Sequence, residues 1–392
     1  MSLISEKSLI KRIRRQVRGK NQLFFIGTPP GFEMICLKEL KASSFAGKHA
    51  IPVKGGIEFE GRLTDCYSAN LELRTANRIL MRITSFKATN FQQLLKKTMN
   101  TPWELYLFAQ TLADIKISAH HSRLFHTKAV ADYIAKGIAK RLEKFGITAP
   151  TSFPQNLYVR IIADQFFISL DSTGKPLYQR GLKQNSFRAP IRETLAAGIL
   201  KITGFSETRP LLDPMCGSGT FSIEAAMLAK NIAPGLFRDF AFSRWPVFSP
   251  RGWAYLKQQA ENTIKSFDHP LIHAADESQN VCRALNKNLD NQELSDAVNV
   301  YCVNFLDFSP RTITNQPGLV VLNPPYGRRI GTKDQSRKLF SEIFHKLQKD
   351  YTGWQVALLV YDRLVLKQIS FKYSLHPIFH GGLNLSLITG TL

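Results

Sequence analysis

From about residue 181 onward, the chain repeats a short apolar strand, a turn and a helix. Five segments fit buried strands, and helical patterns separate them: RPLLD, LIHAAD, VNVYCVNF, GLVVL and VALLVY. Neighbouring parallel strands need long crossover connections, which helices usually supply. This half of the sequence therefore predicts an α/β fold with a doubly wound, mostly parallel sheet and a ligand crevice at its carboxyl edge.

Acidic residues follow three of these segments. Asp213, Asp276 and Asp307 are predicted to end the first, second and third strands. A single acid at such a place is more often a helix cap or a turn residue. Three acids on successive strands instead favour a ligand site. We expect Asp213 to orient an ammonium group, Asp276 to accept both hydroxyls of a ribose, and Asp307 to accept from an adenine amino group.

The segment DPMCGSGT, residues 213–220, is a glycine turn that leads into a helix. Its glycines permit a tight turn and a close approach of a ligand to the backbone. The third glycine of a dinucleotide-binding fingerprint is absent, and Asp276 lies 63 residues after Asp213 rather than about 20. This spacing argues against NAD. The absence of GK[ST] argues against a phosphate-binding P-loop.

A second motif, NPPYG, residues 323–327, follows the fourth strand. Two successive prolines restrict the backbone and remove two N–H donors. The Asn323 side-chain oxygen and the Pro324 carbonyl can therefore accept two hydrogen bonds from one amino group and orient its lone pair. Tyr326 offers a ring on which an extruded base can stack. A plain Pro-Pro loop after a strand is the alternative interpretation.

The charge of the chain lies mainly in its first half. The whole sequence has a net charge of +22, of which residues 1–180 carry +15, with 28 basic and 13 acidic side chains. Such an excess favours a polyanion, nucleic acid before an anionic membrane surface, although a globular protein can simply be basic. We predict five segments: a basic arm at 1–20 that is mobile or a short surface helix, a small α+β unit at 21–60, a second α/β segment at 61–172, a linker at 173–195 and the α/β domain with the parallel sheet at 196–392.

The cysteines and the lengths of the apolar runs indicate the cellular compartment of the protein. Five scattered cysteines without a CxxC pair favour reduced thiols over disulfides or a zinc site, so no metal is expected. No apolar run reaches the length of a membrane helix, and the basic N-terminus lacks the apolar stretch of a signal peptide. These features predict a cytoplasmic protein that does not enter a membrane.

Taken together, LLDPMCGSGT, the acid of AADES, NFLDF and NPPYG resemble the motifs of class I S-adenosylmethionine-dependent methyltransferases that modify amines. LYQRGLKQNSFRAPIRETLAAGIL, IAPGLFRDFAFSRWP and FFIGTPPGFEMICLKEL resemble segments of THUMP-domain RNA methyltransferases. The resemblance covers about residues 21–392 and is strongest to bacterial large-subunit ribosomal RNA guanine-N2 methyltransferases. It implies a ferredoxin-like unit at 21–60, a THUMP RNA-binding domain at 61–172 and a Rossmann-like catalytic domain at 196–392.

The resemblance also implies the cofactor S-adenosylmethionine, an RNA partner and a role for each motif. The catalytic set would be Asn323, Pro324, Pro325 and Tyr326. The cofactor set would be Asp213, Pro214, Cys216, Gly217, Ser218, Gly219, Thr220, Asp276, Glu277, Asp307, Pro190 and Thr194. Methylation of adenine N6 in DNA and a non-catalytic RNA-binding assembly factor remain alternatives, and within the class Cys216 could serve as a nucleophile for ring-carbon methylation.

Overall fold

The structure is a computed structural model that describes residues 6–43, 49–107, 113–145, 155–182, 191–325 and 332–392. The chain divides into two units, each of which contains a seven-stranded sheet. Unit 1 comprises residues 1–28, 37–177 and 238–258, and unit 2 comprises residues 29–36, 178–237 and 259–392.

The sheet of unit 1 is built from the first half of the chain. Its strands are β1 Gln22–Gly27, β2 Ile51–Val53, β3 Gly56–Gly61, β4 Arg78–Lys87, β5 Ala113–His120, β6 Gln155–Ile162 and β7 Gln165–Asp171. The helices along this part of the chain are α1 Glu6–Ile13, α2 Glu33–Ala42, α3 Leu63–Glu72, α4 Phe91–Asn100 and α5 Thr127–Glu143. The strand order is β2-β3-β1-β4-β7-β6-β5, and only β5 and β6 pair in parallel.

The first four strands and the helices α2 and α3 form a ferredoxin-like βαββαβ arrangement. The order β2-β3-β1-β4 places β1 and β3 at the centre, where Phe24 and Phe59 stack with ring centroids 5.1 Å apart. This confirms the ferredoxin-like fold, which extends to β4. The boundary predicted after residue 60 therefore falls within β3, inside this one arrangement, and a separate RNA-binding domain at 61–172 stays a prediction.

The basic N-terminal segment is helical over its described residues. Helix α1 continues as a π-helical turn at Arg14–Arg18, and Ile13 and Val17 are buried. Arg12 donates to the buried Glu104 at 3.3 Å, and Glu104 also accepts from Arg141 at 2.8 Å. The segment is therefore tied to unit 1 by both apolar and ionic contacts.

Residues 238–258, which lie in the predicted catalytic domain 196–392, group with unit 1. Their aromatic side chains provide the reason. The Phe242 ring stacks on Tyr67 of α3 at 4.4 Å between centroids, and Trp253 lies edge-on to both rings. The indole N–H of Trp245 donates to Gln155 at the start of β6 at 3.2 Å. Residues 238–258 thus lie in the chain between two segments of unit 2, but they pack in the core of unit 1.

The sheet of unit 2 is built from β8 Leu211–Asp213, β9 Ile272–Asp276, β10 Val298–Cys302, β11 Leu319–Leu322, β12 Gln355–Val360, β13 Tyr373–His380 and β14 Leu383–Thr391. The helices along this part of the chain are α6 Glu193–Ile202, α7 Thr220–Ala229, α8 Pro250–Glu261, α9 Gln279–Asn291 and α10 Lys333–Asp350, and most of α8 groups with unit 1. The order is β10-β9-β8-β11-β12-β14-β13; the first five strands are parallel, and β14 is antiparallel to both of its neighbours. This confirms the doubly wound, mostly parallel sheet.

The hairpin of β13 and β14 is the part of this sheet that the sequence reasoning did not find. Strand β13 forms the edge of the sheet, and Tyr373, Leu375 and Phe379 on it are exposed. Pro377 also interrupts its sequence pattern, which is tolerated at an edge because the lost N–H has no ladder partner to satisfy. An edge strand with exposed apolar residues does not show the alternation expected of a half-buried strand.

The core of unit 2 lies between the parallel strands and α10. Phe340, Phe344 and Leu347 on α10 are buried with the strand residues Val320, Leu322, Val356 and Leu358. Strands covered on both faces carry continuous apolar runs, as LVVL and VALLV do here. In the part of the chain that the structure describes, no helix has the length and apolarity needed to cross a membrane.

Candidate active site

Three of the predicted polar residues meet at the carboxyl edge of the unit 2 sheet. Asp213 is the last residue of β8 and Asp276 is the last of β9, as predicted, and Asn323 follows directly after β11. Strand β8 pairs in parallel with β9 on one side and with β11 on the other. Parallel neighbours end at the same edge, so the sheet brings together residues that are distant in sequence.

The glycine turn is fastened to the neighbouring strand. The N–H of Cys216 donates to the Ala275 carbonyl at 2.9 Å, and the N–H of Gly217 donates to Asp276 Oδ2 at 3.1 Å. The two glycines have positive φ angles, 53° at Gly217 and 77° at Gly219, which glycine adopts without the cost that a side chain imposes. The turn therefore has a defined shape before any ligand binds.

The two glycines differ in what surrounds them. A Cβ added at Gly217 would meet no atom within 4 Å, whereas one added at Gly219 would lie 2.3 Å from Leu285 Cδ1 of α9. Gly219 thus permits close packing of the turn against a helix. Gly217 leaves open space beside the strand ends, where a ligand can approach the backbone.

Asp213 lies almost wholly out of solvent, with 1% of its surface exposed. Ser222 Oγ on α7 donates to its Oδ2 at 2.8 Å. Burial, with a smaller contribution from the nearby Asp276, raises the pKa of Asp213 to about 7, although the hydrogen bonds from Ser222 oppose the shift. A carboxyl in this state gains from a cationic partner, because a positive charge beside it favours the ionised form.

Asp276 and Glu277 stand at the end of β9. Asp276 Oδ1 accepts from the N–H of Ser278 at 2.9 Å, so each carboxylate oxygen holds one backbone hydrogen bond and keeps lone pairs for a ligand. Glu277 is exposed and accepts from Asn304 Nδ2 at 2.7 Å. The arrangement suits the recognition of vicinal hydroxyl groups.

The expectation that Asp307 ends the third strand is wrong. Strand β10 ends at Cys302, and the Asn304 side chain then accepts from the N–H of Leu306 at 2.9 Å. This local turn ends the extended chain before Asp307. Asp307 is exposed in the following loop, where its own N–H donates to the Asn304 carbonyl at 3.1 Å. A role for it in ligand binding stays a prediction.

The Asn323 side chain, at the carboxyl edge of the sheet, has a buried acceptor atom. Its Oδ1 is buried and has no hydrogen-bond partner among the described residues. Pro324 is buried and Pro325 is half-buried beside it. Tyr326 and Gly327 of the same motif lie outside the described residues, as does Pro190. A buried acceptor without a donor costs free energy, roughly 1–3 kcal/mol, so a ligand that donates there is favoured.

Cys216 has the environment of a structural thiol. It is buried, and burial raises the pKa of its thiol well above the ordinary value, with the carboxylates of Asp213 and Asp276 adding to the effect. A nucleophilic cysteine needs an accessible thiolate near a positive charge. The geometry therefore disfavours the ring-carbon chemistry that Cys216 would perform.

The sequence reasoning missed a buried ion pair that involves α7, the helix that follows the glycine turn. Arg180 donates to Glu224 of α7 through Nε at 2.8 Å and through a second nitrogen at 3.1 Å, and both side chains are at most 2% exposed. Burial also raises the pKa of the adjacent Glu193 to about 7. The signal was present in FSIEAAMLAK, because a lone Glu in the middle of a mostly apolar helix requires a buried partner.

The remaining predicted residues lie near these groups along the chain. Thr194 is buried in the first turn of α6, and Thr220 is buried at the start of α7 with its hydroxyl 3.4 Å from that of Ser218. Pro214 is buried after β8. Among the described residues, no group of three His, Cys, Asp or Glu side chains is placed to hold a metal ion.

Comparison with known proteins gives the family. A model of the RMKL-like methyltransferase domain matches residues 180–376, and a model of the RlmL ferredoxin-like domain matches residues 23–80. The putative RNA methyltransferase YpsC of Bacillus subtilis is 31% identical over 84% of this chain and 86% of its own length. The ribosomal RNA large subunit methyltransferase K/L of Psychromonas ingrahamii is 30% identical over 91% of this chain and 49% of its own, so the chain spans about half the length of that relative.

A solved structure agrees with this assignment. SMU.472, described as a putative methyltransferase complexed with SAH, has a TM-score of 0.85 and 26% identity over 95% of this chain and 98% of its own. The sheet order and the polar carboxyl edge define a class I methyltransferase, the class whose cofactor is S-adenosylmethionine. More closely, the chain belongs to the RMKL-like methyltransferase family.

Proposed function

We propose that this protein is an RNA methyltransferase that transfers a methyl group from S-adenosylmethionine to the N2 amine of a guanine in large-subunit ribosomal RNA. The family and the names of the relatives, one of which is called a ribosomal RNA methyltransferase, support an RNA substrate. The net charge of +15 in residues 1–180 supports a polyanionic partner independently. A cytoplasmic location stays a prediction.

One observation carries the choice of an amine as acceptor. Asn323 Oδ1 is buried, with no donor among the described residues, at the edge of the sheet that also carries Asp213. An exocyclic amine offers two N–H donors, one for this oxygen and one for the Pro324 carbonyl. A ring carbon offers none. Tyr326 would then stack on the extruded base, as the NPPY order of residues suggests.

The described residues also fit the cofactor. The open space at Gly217, in the turn that continues through Ser218, Gly219 and Thr220, gives a ligand access to the backbone. Asp213 would hold the ammonium of the methionine part and Asp276, with Glu277 next to it, the ribose. Asp307 would accept from the adenine amine. In the same proposal, other residues would complete the pocket: Pro190, Thr194, Pro214 and Cys216.

The protein's part in the reaction is positioning and electrostatics. S-adenosylmethionine, when bound, supplies an electrophilic methyl group. Asn323 Oδ1 and the Pro324 carbonyl hold the amine so that its lone pair points at that group rather than conjugating with the ring. As the N–C bond forms, the C–S bond breaks and its electron pair stays on sulfur. The nitrogen then releases one proton to water, so no dedicated base is required.

The test is an assay with S-adenosylmethionine that carries a deuterated methyl group. Unmodified large-subunit RNA transcripts and unmethylated DNA are offered together, and the nucleosides are analysed by mass spectrometry. The proposal expects labelled N2-methylguanosine. Labelled N6-methyldeoxyadenosine, or a label on a ring carbon, would contradict it. An absence of label on free RNA leads to the same assay on precursor ribosomal particles, and failure there as well rejects the proposal.

A matched variant isolates the role of Asn323. Asn323→Ala should bind S-adenosylhomocysteine as the unaltered protein does, because the amide faces the acceptor and not the cofactor in this proposal. Its rate of methyl transfer should fall by about 100-fold or more, since both the contact and the orientation of the amine are lost. A variant that retains full transfer would remove Asn323 from the mechanism.

A further inference from the structure

The sheet of unit 1 carries a cavity that none of the catalytic motifs explains. Its volume is about 340 Å³, and its walls come from β1, β4, β5, β6 and β7. All of its lining residues belong to unit 1. The cavity is therefore separate in its residues from the methyltransferase edge of unit 2.

Strand pairing explains why the lining residues face the same way. In one row across the sheet, Lys116 lies opposite Tyr158, Tyr158 opposite Ser169, and Ser169 opposite Arg82. Residues directly opposite on neighbouring strands project from the same face of a sheet. The backbone register alone thus places two cations and an aromatic ring side by side.

A second row runs next to the first. Ser118 lies opposite Arg160, and Arg160 lies opposite Phe167. The Arg82 guanidinium stands 4.7 Å from the centroid of the Phe167 ring and so joins the two rows. Lys116 Nζ stands 5.7 Å from the centroid of the Tyr158 ring. Planar and cationic groups therefore alternate across the cavity.

The cavity is positively charged. Arg82 is held by Glu58 at 3.1 Å and by Ser169 Oγ at 3.1 Å, so its guanidinium is fixed and partly neutralised. In the part of the chain that the structure describes, Lys116 and Arg160 form no ion pair and no carboxylate lines the cavity. Two cations thus remain available to an anionic ligand, beside aromatic faces that are only half-buried.

We propose that this cavity binds one unpaired nucleotide of the RNA substrate, with its base against the Tyr158 and Phe167 rings and its phosphate at Lys116 and Arg160. This inference rests on the proposed function and adds a second contact point for the RNA. The volume lies at the lower end of the range for small-molecule sites, which suits one nucleotide and excludes a duplex. Bases inside a duplex are stacked on each other, whereas unpaired bases stack on aromatic rings and guanidinium planes.

The experiment compares two double variants of the full chain. Tyr158→Leu with Arg160→Gln removes a ring and a charge from the cavity. Phe125→Leu with Lys128→Gln removes a ring and a charge from exposed positions of the same unit outside the cavity. Fluorescence anisotropy measures binding of a single-stranded RNA of about ten nucleotides at fixed salt, because the affinity depends steeply on ionic strength.

The proposal expects the Kd of the cavity variant to rise by about tenfold or more, since stacking of one base accounts for that much. The Kd of the control variant should stay within about twofold of that of the unaltered protein, because the loss of its one charge removes at most one phosphate contact. Equal affinities of the two variants would overturn the proposal. If the cavity variant lost as much affinity for polyglutamate as for RNA, the proposal would also be overturned, since the cavity would then be a general anion site.

Two further measurements separate the possible failures. Binding of S-adenosylhomocysteine by each variant reports the integrity of unit 2, and photo-crosslinking of 4-thiouridine RNA to the unaltered protein needs no variant. Crosslinks in residues 155–171 are expected, and crosslinks confined to other residues overturn the proposal even if the cavity variant fails to fold. If the unaltered protein methylates RNA and the cavity variant binds RNA with unchanged affinity, this inference is rejected while the proposed function stands.

Discussion

The N–H of Gly217 donates to Oδ2 of Asp276 at 3.1 Å, across 59 positions of sequence. This single bond joins the glycine turn after β8 to the acid that ends β9. The shape of the turn and the orientation of the carboxylate therefore depend on each other. Two groups that the sequence suggests as separate parts of a cofactor site are one structural element.

Asp276→Ala should weaken S-adenosylhomocysteine binding by about tenfold or more, because it removes a charged acceptor and one of the two hydrogen bonds that fasten the turn. Asp276→Asn, which can keep one acceptor for the Gly217 N–H, should lose less. Isothermal titration calorimetry measures both affinities. Binding of RNA by the two variants serves as the control and should not change; equal losses of cofactor affinity in both variants would contradict the anchoring role.

Gly217→Ala and Gly219→Ala should fail in different ways. Both substitutions strain a backbone with positive φ by about 1 kcal/mol. At Gly219 the new Cβ also meets Leu285 at 2.3 Å, so the thermal midpoint should fall clearly. At Gly217 the Cβ enters open space, so stability should fall little while cofactor affinity falls about tenfold. Calorimetric scans and titrations of the two variants distinguish these outcomes, and a Gly217→Ala variant with normal affinity would place the cofactor elsewhere.

The protonation of Asp213 makes stability depend on pH. Its pKa is about 7 in the folded chain against 3.8 for the ordinary group. The folded state therefore holds the proton more tightly, and this contribution to stability is complete below about pH 4 and disappears as the pH rises through 7. Asp213→Asn, which cannot ionise, should be more stable than the unaltered protein at pH 8, by on the order of 1–3 kcal/mol. Denaturation at pH 8 and pH 5 tests this, and the difference should shrink at the lower pH.

The same group should make cofactor binding depend on pH. The ionised carboxylate is the form that attracts an ammonium, so the affinity of the unaltered protein for S-adenosylhomocysteine should fall between pH 8 and pH 6. The Asp213→Asn variant should bind weakly and without this dependence. A pH profile shared by both proteins would assign the effect to another group.

Removing one partner of the buried Arg180–Glu224 pair should lower the free energy of unfolding strongly, whereas replacing both partners by apolar residues should lower it little. Glu224→Gln leaves the Arg180 charge buried and should lower the free energy of unfolding by about 3–5 kcal/mol. The double variant Arg180→Met with Glu224→Leu should recover most of that loss, since apolar side chains of similar volume need no partner. Thermal denaturation measures both. A double variant as unstable as the single one would indicate that the pair does more than neutralise charge.

Much of unit 2 was predictable because its signals are local. Apolar runs and helical spacing predicted five strands, and the end of β8 at Asp213 and of β9 at Asp276 followed from where each run stops. Asp307 was placed wrongly because the turn at Asn304 ends β10 early, a competition between side chain and backbone that the apolar pattern does not show. The β13–β14 hairpin was not predicted, because apolar residues of its edge strand are exposed and do not show the pattern of a half-buried strand.

The sequence by itself determined the class of the catalytic fold and the residue types at its carboxyl edge, since periodicity and turn chemistry act over a few neighbouring residues. Only the tertiary structure decided which distant residues meet. The bond between Gly217 and Asp276, the Arg180–Glu224 pair and the row from Lys116 to Arg82 all join residues far apart in the chain. Their proximity arises from strand pairing and core packing, which depend on the whole chain at once.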